Sequence, residues 1–299
     1  MTCLCNLDGS ILPESEAHIP VLDRGFLFGD SVYEVTRTRG LLPFAWPEHF
    51  ERLRSSADAI QLDLDLAEAE VARRVAATLA AADHGDSYVR IIVTRGTGTS
   101  PNIGLDHAPG PPRWVILVRP APELSGKPAR LAIVQRLRND RRALDPATKS
   151  GNYLNNLLAL AEARSQGATD CLMANADGNI TEGATSNFFA RIGGVWCTPP
   201  LQAGILAGVT RRLLLELLAE LGERVDERNL LPADVRGAEE LFLSSTLRDV
   251  APVTHIDGAP LHDGNPGPHT ARLMAAFHSH CERLMSTRYE PGWRQLLQA

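Results

Sequence analysis

Lys149-Ser-Gly-Asn-Tyr153 holds one of only two lysines in a chain of 299 residues, the other being Lys127. Every other basic residue among the 30 is an arginine. Arginine serves surface charge and ion pairs, but its guanidinium is effectively never deprotonated. A lysine amine loses its proton when desolvated and condenses with a carbonyl to a Schiff base. Scarcity alone does not separate a catalyst from a leftover surface lysine. The decision rests on whether the rest of the chain supplies the groups that a reactive lysine needs.

Around that stretch the sequence reads as an ordered α+β chain. To its N-terminal side lie a strand–turn–strand over Cys3–Leu12 and a packed loop over residues 18–30. A strand over Ser31–Arg39 follows, then a helix opened by Trp46-Pro47-Glu48 with proline in its first turn. A second amphipathic helix spans Leu66–Ala82, and Ser87–Thr94 and Trp114–Val118 are strands. Residues 95–112 carry four glycines and four prolines without periodicity, a long loop of the kind that is usually functional or linking. To the C-terminal side lie a strand over Ala129–Val134, an arginine-rich run over 136–142 and a helix over Tyr153–Ser165. That helix has Leu154, Leu157, Leu158 and Ala161 on one face. Hairpins turn at Asp177-Gly178, Gly193-Gly194 and Asp257-Gly258. Helices over Thr210–Leu221 and Pro268–Arg283 frame a strand at Glu240–Ser244. The expected division is a small N-terminal α/β domain over 1–119, a proline-bearing linker over 120–127, and a larger domain over 128–299 dominated by antiparallel hairpins.

Composition removes several classes of function. The formal net charge is −6 and no basic block is present, against nucleic acid as the main partner. Hydrophobic residues make up 44%, enough for a sizeable core. No apolar run approaches the roughly 20 residues that span a bilayer. The N-terminus shows no basic region ahead of an apolar stretch, so no secretory signal is expected. Five scattered cysteines (3, 5, 171, 197 and 281) suggest reduced thiols and a cytoplasmic setting. Cys3-x-Cys5 is too tight for a zinc knuckle. His278-x-His280-Cys281 lacks a matching cluster and reads as helix surface, so no metal is expected.

A lysine Schiff base with a chemical task points to pyridoxal 5'-phosphate, which asks for three kinds of protein group. The pyridine nitrogen needs an acid, and Glu182 lies among small residues in Thr181-Glu-Gly-Ala-Thr-Ser-Asn187. The phosphate needs N–H groups at a helix N-terminus, hydroxyls and a cation. Gly208-Val-Thr210 opens an apolar helix, and Ser244-Ser-Thr246 is a hydroxyl cluster at a strand end. The phenolic oxygen needs a donor such as tyrosine.

In these segments the chain resembles the fold type IV, or class IV, pyridoxal-phosphate aminotransferases. The resemblance runs from about residue 20 to about residue 275, in matching order. Asp23-Arg-Gly-Phe-Leu-Phe-Gly-Asp-Ser-Val-Tyr-Glu34 is similar to the family's N-terminal motif. Glu48-His-Phe-Glu-Arg-Leu53 is similar to the segment with its phosphate-binding arginine, and Lys149-Ser-Gly-Asn-Tyr-Leu154 to the catalytic-lysine segment. Thr181–Phe189 is similar to the segment with the pyridine-nitrogen carboxylate. Ile205-Leu-Ala-Gly-Val-Thr-Arg211 is similar to the ring-supporting leucine and phosphate-binding turn. One such match is weak; five in order are specific. The resemblance implies a two-domain fold with a pseudo-barrel-like C-terminal domain, and usually a homodimer. It implies Lys149 as Schiff-base lysine and proton carrier, Glu182 on the pyridinium and Tyr153 on the phenolic oxygen. It places Arg52, Val209, Thr210, Ser245 and Thr246 on the phosphate and Leu206 on the ring.

For the substrate, Tyr88-Val-Arg90 is similar to the pair that holds the α-carboxylate in branched-chain enzymes. The motif with Tyr33 and Glu34 is closer to the D-amino acid and (R)-amine members. Those D-amino acid enzymes carry an Arg-x-His trap where this chain reads Ser100-Pro-Asn-Ile-Gly104. Phe26, Phe28, Tyr33 and Leu247 would make an apolar pocket. The expected reaction is transfer of an amino group from a branched-chain L-amino acid to a 2-oxo acid. D-amino acid or (R)-amine transamination, an aminodeoxychorismate-type lyase and a pyridoxal-phosphate-binding protein without turnover are the alternatives.

Overall fold

Period-two alternation over Ser31–Arg39 and Ser87–Thr94 builds the centre of the first sheet. The computed structural model describes residues 3–123 and 127–298, so residues 124–126 of the expected linker lie outside the described residues. The first of two compact units comprises Met1–Glu123, Thr148–Asn152 and Arg283–Ala299. Its elements are β1 (Leu4–Leu7), β2 (Ser10–Pro13), α1 (Arg24–Phe28), β3 (Ser31–Arg39) and β4 (Leu42–Pro43). They continue with α2 (Trp46–Ala59), α3 (Glu68–Ala82), β5 (Ser87–Thr94) and β6 (Arg113–Pro120). The sheet runs β2-β1-β6-β5-β3-β4, antiparallel throughout. Val32, Val89, Ile91, Val93, Ile116 and Val118 form one core with Leu53, Ala57, Val71 and Val75 of α2 and α3. The loop expected over 18–30 contains the short helix α1, capped by the Asp23 carboxylate on the Gly25 N–H. Its five residues are too few for a periodicity signal.

The segment around Lys149 lies along the edge of β3. Tyr33 N–H donates to the Lys149 carbonyl and Gly151 N–H to the Ser31 carbonyl, at 2.9 and 2.8 Å. A bridge pairs Val32 with Ser150. A strand therefore positions this lysine, although its own sequence shows no strand pattern.

The second unit comprises Leu124–Ala147 and Tyr153–Glu282. Its elements are β7 (Ala129–Ile133), α4 (Leu154–Ser165), β8 (Asp170–Leu172), β9 (Asn187–Ile192), β10 (Val195–Thr198) and α5 (Val209–Glu220). They continue with β11 (Val225–Glu227), α6 (Pro232–Arg236), β12 (Glu240–Ser245), β13 (Asp249–Ile256), β14 (Ala259–Pro260) and α7 (Pro268–Leu284). The sheet order is β11-β10-β9-β12-β13-β7-β8, with β14 on β13. Its hairpins are antiparallel as expected, but β10/β11, β13/β7 and β7/β8 are parallel, so the sheet is mixed. Gly193 and Gly194, at φ +57° and +77°, make the β9–β10 turn that the Gly-Gly pair predicts. Phe188, Leu131, Leu172, Leu241, Leu243 and Val253 pack on one side. Ala132, Met173 and Ala184 receive α4 on the other.

Two helices differ from their sequence reading. The leucine face of α4 is exposed, with Leu154 at 68%, while Asn156, Ala159 and Ala163 are buried. Only His278 of the His-x-His-Cys run is at the surface, and His280 and Cys281 are buried. Past α7 the chain continues as a π-helical turn over Met285–Tyr289 and then α8 (Glu290–Gln298). No helix among the described residues is long and apolar enough to cross a membrane.

Candidate active site

In the first unit, β3 and α2 place a buried acid under a helix that carries two bases. Glu34 shares the core face with Val32, so its carboxylate must find partners inside. Arg52 donates from Nε to Oε1 at 2.7 Å and from Nη2 to Oε2 at 2.9 Å, a bidentate pair. His49 Nδ1 lies 2.7 Å from Oε2. Burial alone would raise the Glu34 carboxyl, but Arg52 and then His49 outweigh it and hold it well below the usual carboxylate range. Burial pushes the His49 imidazole down despite Glu34, and because the Glu34 carboxylate can only accept, Nδ1–H donates. The Glu34 pKa is lower folded than unfolded, so below about pH 4.3 the unfolded chain binds the extra proton. The stability from this pair is therefore full above that pH and lost as acid is added. Glu34→Gln is expected to lower the melting temperature at pH 7 by roughly 5–10 °C, because Arg52 is left with an uncompensated charge. The difference from the parent should shrink in melts at pH 3; an undiminished difference there would count against the ion-pair assignment.

On the other side of β3, Tyr33 collects two cations. Lys149 Nζ donates to the Tyr33 hydroxyl at 3.3 Å and lies 4.4 Å from the ring centroid. The Arg90 guanidinium, from β5, stands 4.1 Å from the same centroid. Arg90 Nε is buried and has no hydrogen-bond partner among the described residues. The Lys149 backbone is fixed as well, its N–H donating to Ser56 Oγ of α2 at 3.0 Å. Tyr33, Arg90 and Lys149, singled out separately in the sequence, thus come together. Tyr88, two residues along β5, faces Arg37 of β3 in register and is half-buried. Phe28 stacks under Arg24, with 5.1 Å from Cζ to the ring centroid, while Phe26 is exposed.

In the second unit, Glu182 is a carboxylate held by three donors. Arg138 Nε donates to Oε1 at 2.9 Å. Asn187 Nδ2 and Leu206 N–H donate to Oε2 at 3.2 and 3.0 Å. A carboxylate offers about four lone-pair positions, so one more N–H can be accepted. Asn187 also donates to the Leu206 carbonyl at 3.0 Å, which ties the Leu206 turn to the Glu182 loop. A Cβ on Gly208 would meet Asn187 Oδ1 at 2.0 Å, so only glycine fits where α5 begins. The α5 N-terminus at Val209 and Thr210 has no side-chain cap, leaving its first N–H groups available to an anion. On β12, Ser244 pairs in register with Asn187, and its buried Oγ has no partner among the described residues. Ser245, Thr246 and Leu247 follow at the half-buried strand end. Tyr153 is the N-cap residue of α4.

These groups fit pyridoxal phosphate: an anchored acid with one acceptor position open, an uncapped helix end, and an orphaned hydroxyl beside it. Arg138, Asn187, His49 and Ser56 were not singled out by sequence reasoning, and Glu34 was named only as part of the N-terminal motif. Arg138 was hidden among its arginine neighbours; Glu34 and His49 lie inside quoted motifs, but nothing in sequence spacing says that they meet.

The class IV amino-transferase family profile matches residues 31–256. A Methanocaldococcus jannaschii protein, named provisionally as a branched-chain-amino-acid aminotransferase, is 36% identical over 91% of this chain and 94% of its own. The D-alanine aminotransferase of Bacillus licheniformis is 32% identical over 90% and 94%. The branched-chain aminotransferase of Thermoproteus uzoniensis with norvaline superposes with a TM-score of 0.88 at 28% identity, over 98% of both chains. The branched-chain amino acid aminotransferase of Thermobaculum terrenum, in its pyridoxal-phosphate holo-form, gives 0.83 at 26%, over 93% of both. The chain belongs to the class IV aminotransferases. It is a pyridoxal-phosphate-dependent enzyme that transfers an amino group between an amino acid and a 2-oxo acid.

Proposed function

We propose that the donor is an L-amino acid with an apolar, branched side chain, and that Lys149 is the proton carrier. The observation that carries the reading is Arg90, a cation with a buried unpartnered Nε, on the same tyrosine ring that holds the Lys149 amine. A charge-assisted bond from Arg90 suits the donor's α-carboxylate. Held there, the donor's Cα would face Lys149 Nζ, whose amine would take up the Cα proton and hold it for return. Tyr33 keeps that amine in place through its hydroxyl. Pyridoxal phosphate, when bound, supplies the carbonyl that accepts the amino group and the ring that takes up the electron pair released at Cα. Glu182, oriented by Arg138, Asn187 and Leu206, would hold the pyridine N–H. Tyr153 would donate to the phenolic oxygen and Leu206 would pack on the ring. Arg52, Val209, Thr210, Ser245 and Thr246 would hold the phosphate. Tyr88, Phe28 and Leu247 would complete the substrate side, and a homodimer, resolved by light scattering, is the expected assembly.

The relatives named as D-alanine aminotransferases give the competing reading. Against it, residues 100–104 hold no Arg-x-His pair, and Arg24 instead binds the carbonyls of Asn102, Ile103 and Gly104. The test is a donor panel with 2-oxoglutarate: L-Leu, D-Ala and both enantiomers of 1-phenylethylamine. L-Leu should exceed the others in kcat/KM by about tenfold or more, and Arg90→Ala should cost about 1.5–3 kcal/mol in that ratio, mostly through KM. Preference for D-Ala or an amine would overturn the donor assignment, and absence of any new amino acid would turn the reading toward a lyase.

A further inference from the structure

The C-terminal helix returns to the helix that carries Arg52. Helix α2 begins without a side-chain cap: its N-cap residue, Ala45, is left-handed at φ +52° and makes no capping bond. The Trp46 indole N–H donates to Glu68 of α3 at 3.0 Å, and the C-terminal segment makes further contacts at this end. The Tyr289 hydroxyl donates to Glu48 Oε1 at 3.1 Å, and Arg288 reaches the same oxygen at 2.7 Å. Tyr289 is buried and packs edge-on against Phe44, with centroids 5.1 Å apart. Trp293 packs edge-on against Trp46 at 4.9 Å, and Trp46 stacks on Phe50 at 5.9 Å. Leu296 and Leu297 complete the same core. All these contacts lie within the first unit. They grip α2 at residues 46–50, directly before the turn that offers Arg52 to Glu34 and Ser56 to the Lys149 backbone.

Tyr289, the last residue of the π-helical turn, and Trp293 of α8 are four residues apart and so share the face toward α2. Glu48 lies in the first turn of α2, where a carboxylate also complements the helix dipole.

We propose that Tyr289, through Glu48, and Trp293, through Trp46, are positioning residues that set α2 so that Arg52 meets the cofactor phosphate. This rests on the reading of Arg52 as a phosphate ligand. The effect should fall on the phosphate, because Lys149, which α2 also reaches through Ser56, is held independently by the Tyr33 N–H and hydroxyl of β3.

The experiment titrates apoenzyme with pyridoxal 5'-phosphate and with pyridoxal, which lacks the phosphate. Tyr289→Phe keeps the packing and removes one hydroxyl; Glu48→Gln removes the charge that Tyr289 and Arg288 bind. Arg52→Ala is the reference. Each of the first two should weaken the phosphate form by about 3- to 30-fold, with pyridoxal affinity unchanged. Trp293→Phe, which keeps an aromatic ring, should lie between these variants and the parent. Equal weakening of both ligands would show general loosening of the fold and overturn the inference. So would unchanged affinity in Tyr289→Phe and Glu48→Gln while Arg52→Ala loses its preference for the phosphate form. If Arg52→Ala keeps that preference, the phosphate reading itself falls and this inference with it.

Discussion

Lys149→Ala is expected to lower the transamination rate by at least about 10³-fold, because on the proposed assignment one amine both condenses with the cofactor and carries the Cα proton. It should also abolish the absorbance of the bound cofactor near 410–420 nm (roughly placed, as a general property of a conjugated Schiff base). The structural cost should be small. The Lys149 contacts that shape the fold are made by its backbone, on Tyr33 and Ser56, and alanine keeps both. Lys127→Ala is the internal comparison. It is exposed and lies outside both clusters of site residues, so its replacement should leave rate and absorbance at the parent level. A Lys149→Ala protein with parent activity would refute the catalytic assignment.

Glu182→Gln should produce the second large loss, about 10²- to 10³-fold in kcat, the scale of removing one preorganised electrostatic partner. The substitution is nearly isosteric, yet it fails twice. A neutral amide no longer stabilises positive charge on the pyridine nitrogen. It also cannot satisfy the surrounding donors, because Arg138 meets one oxygen while Asn187 and Leu206 meet the other. One end of the amide must therefore point N–H against N–H. The buried Arg138 guanidinium loses its counter-charge as well, so the melting temperature should fall together with kcat. Single-turnover kinetics with L-Leu separate the two effects. If the cofactor-saturated variant at a temperature where it is fully folded turned over within twofold of the parent, Glu182 would not be the pyridine partner.

The legible parts of the sequence were those whose signal is local. Ser31–Arg39 and Ser87–Thr94 were bounded correctly because alternation and β-branched residues act within the strand itself. The glycine turns after β9 and β13 were legible because only positive-φ residues fit there. Lys149 and Glu182 stood out through scarcity and through small neighbours. What was hidden depends on contacts through space. Arg138 is one arginine in a run of several, and only the fold shows that it meets Glu182. The leucines of α4 gave the period of a buried face, but periodicity reports that a face is apolar and not what covers it. The packing side of α4 is made of Asn156, Ala159 and Ala163, residues with little hydrophobic signal. At the C-terminus, the helix expected to end at Arg283 runs on through the π-helical turn and α8, across Pro291 and Gly292.

The central claim is that Lys149 is the residue that carries the cofactor. Borohydride reduction of the holoenzyme fixes the cofactor on whichever amine holds it, and peptide mapping then locates the added mass. The label is expected on the peptide containing Lys149 and not on the peptide containing Lys127. A label on Lys127, or an unlabelled Lys149 in fully active, reduced enzyme, would contradict that claim.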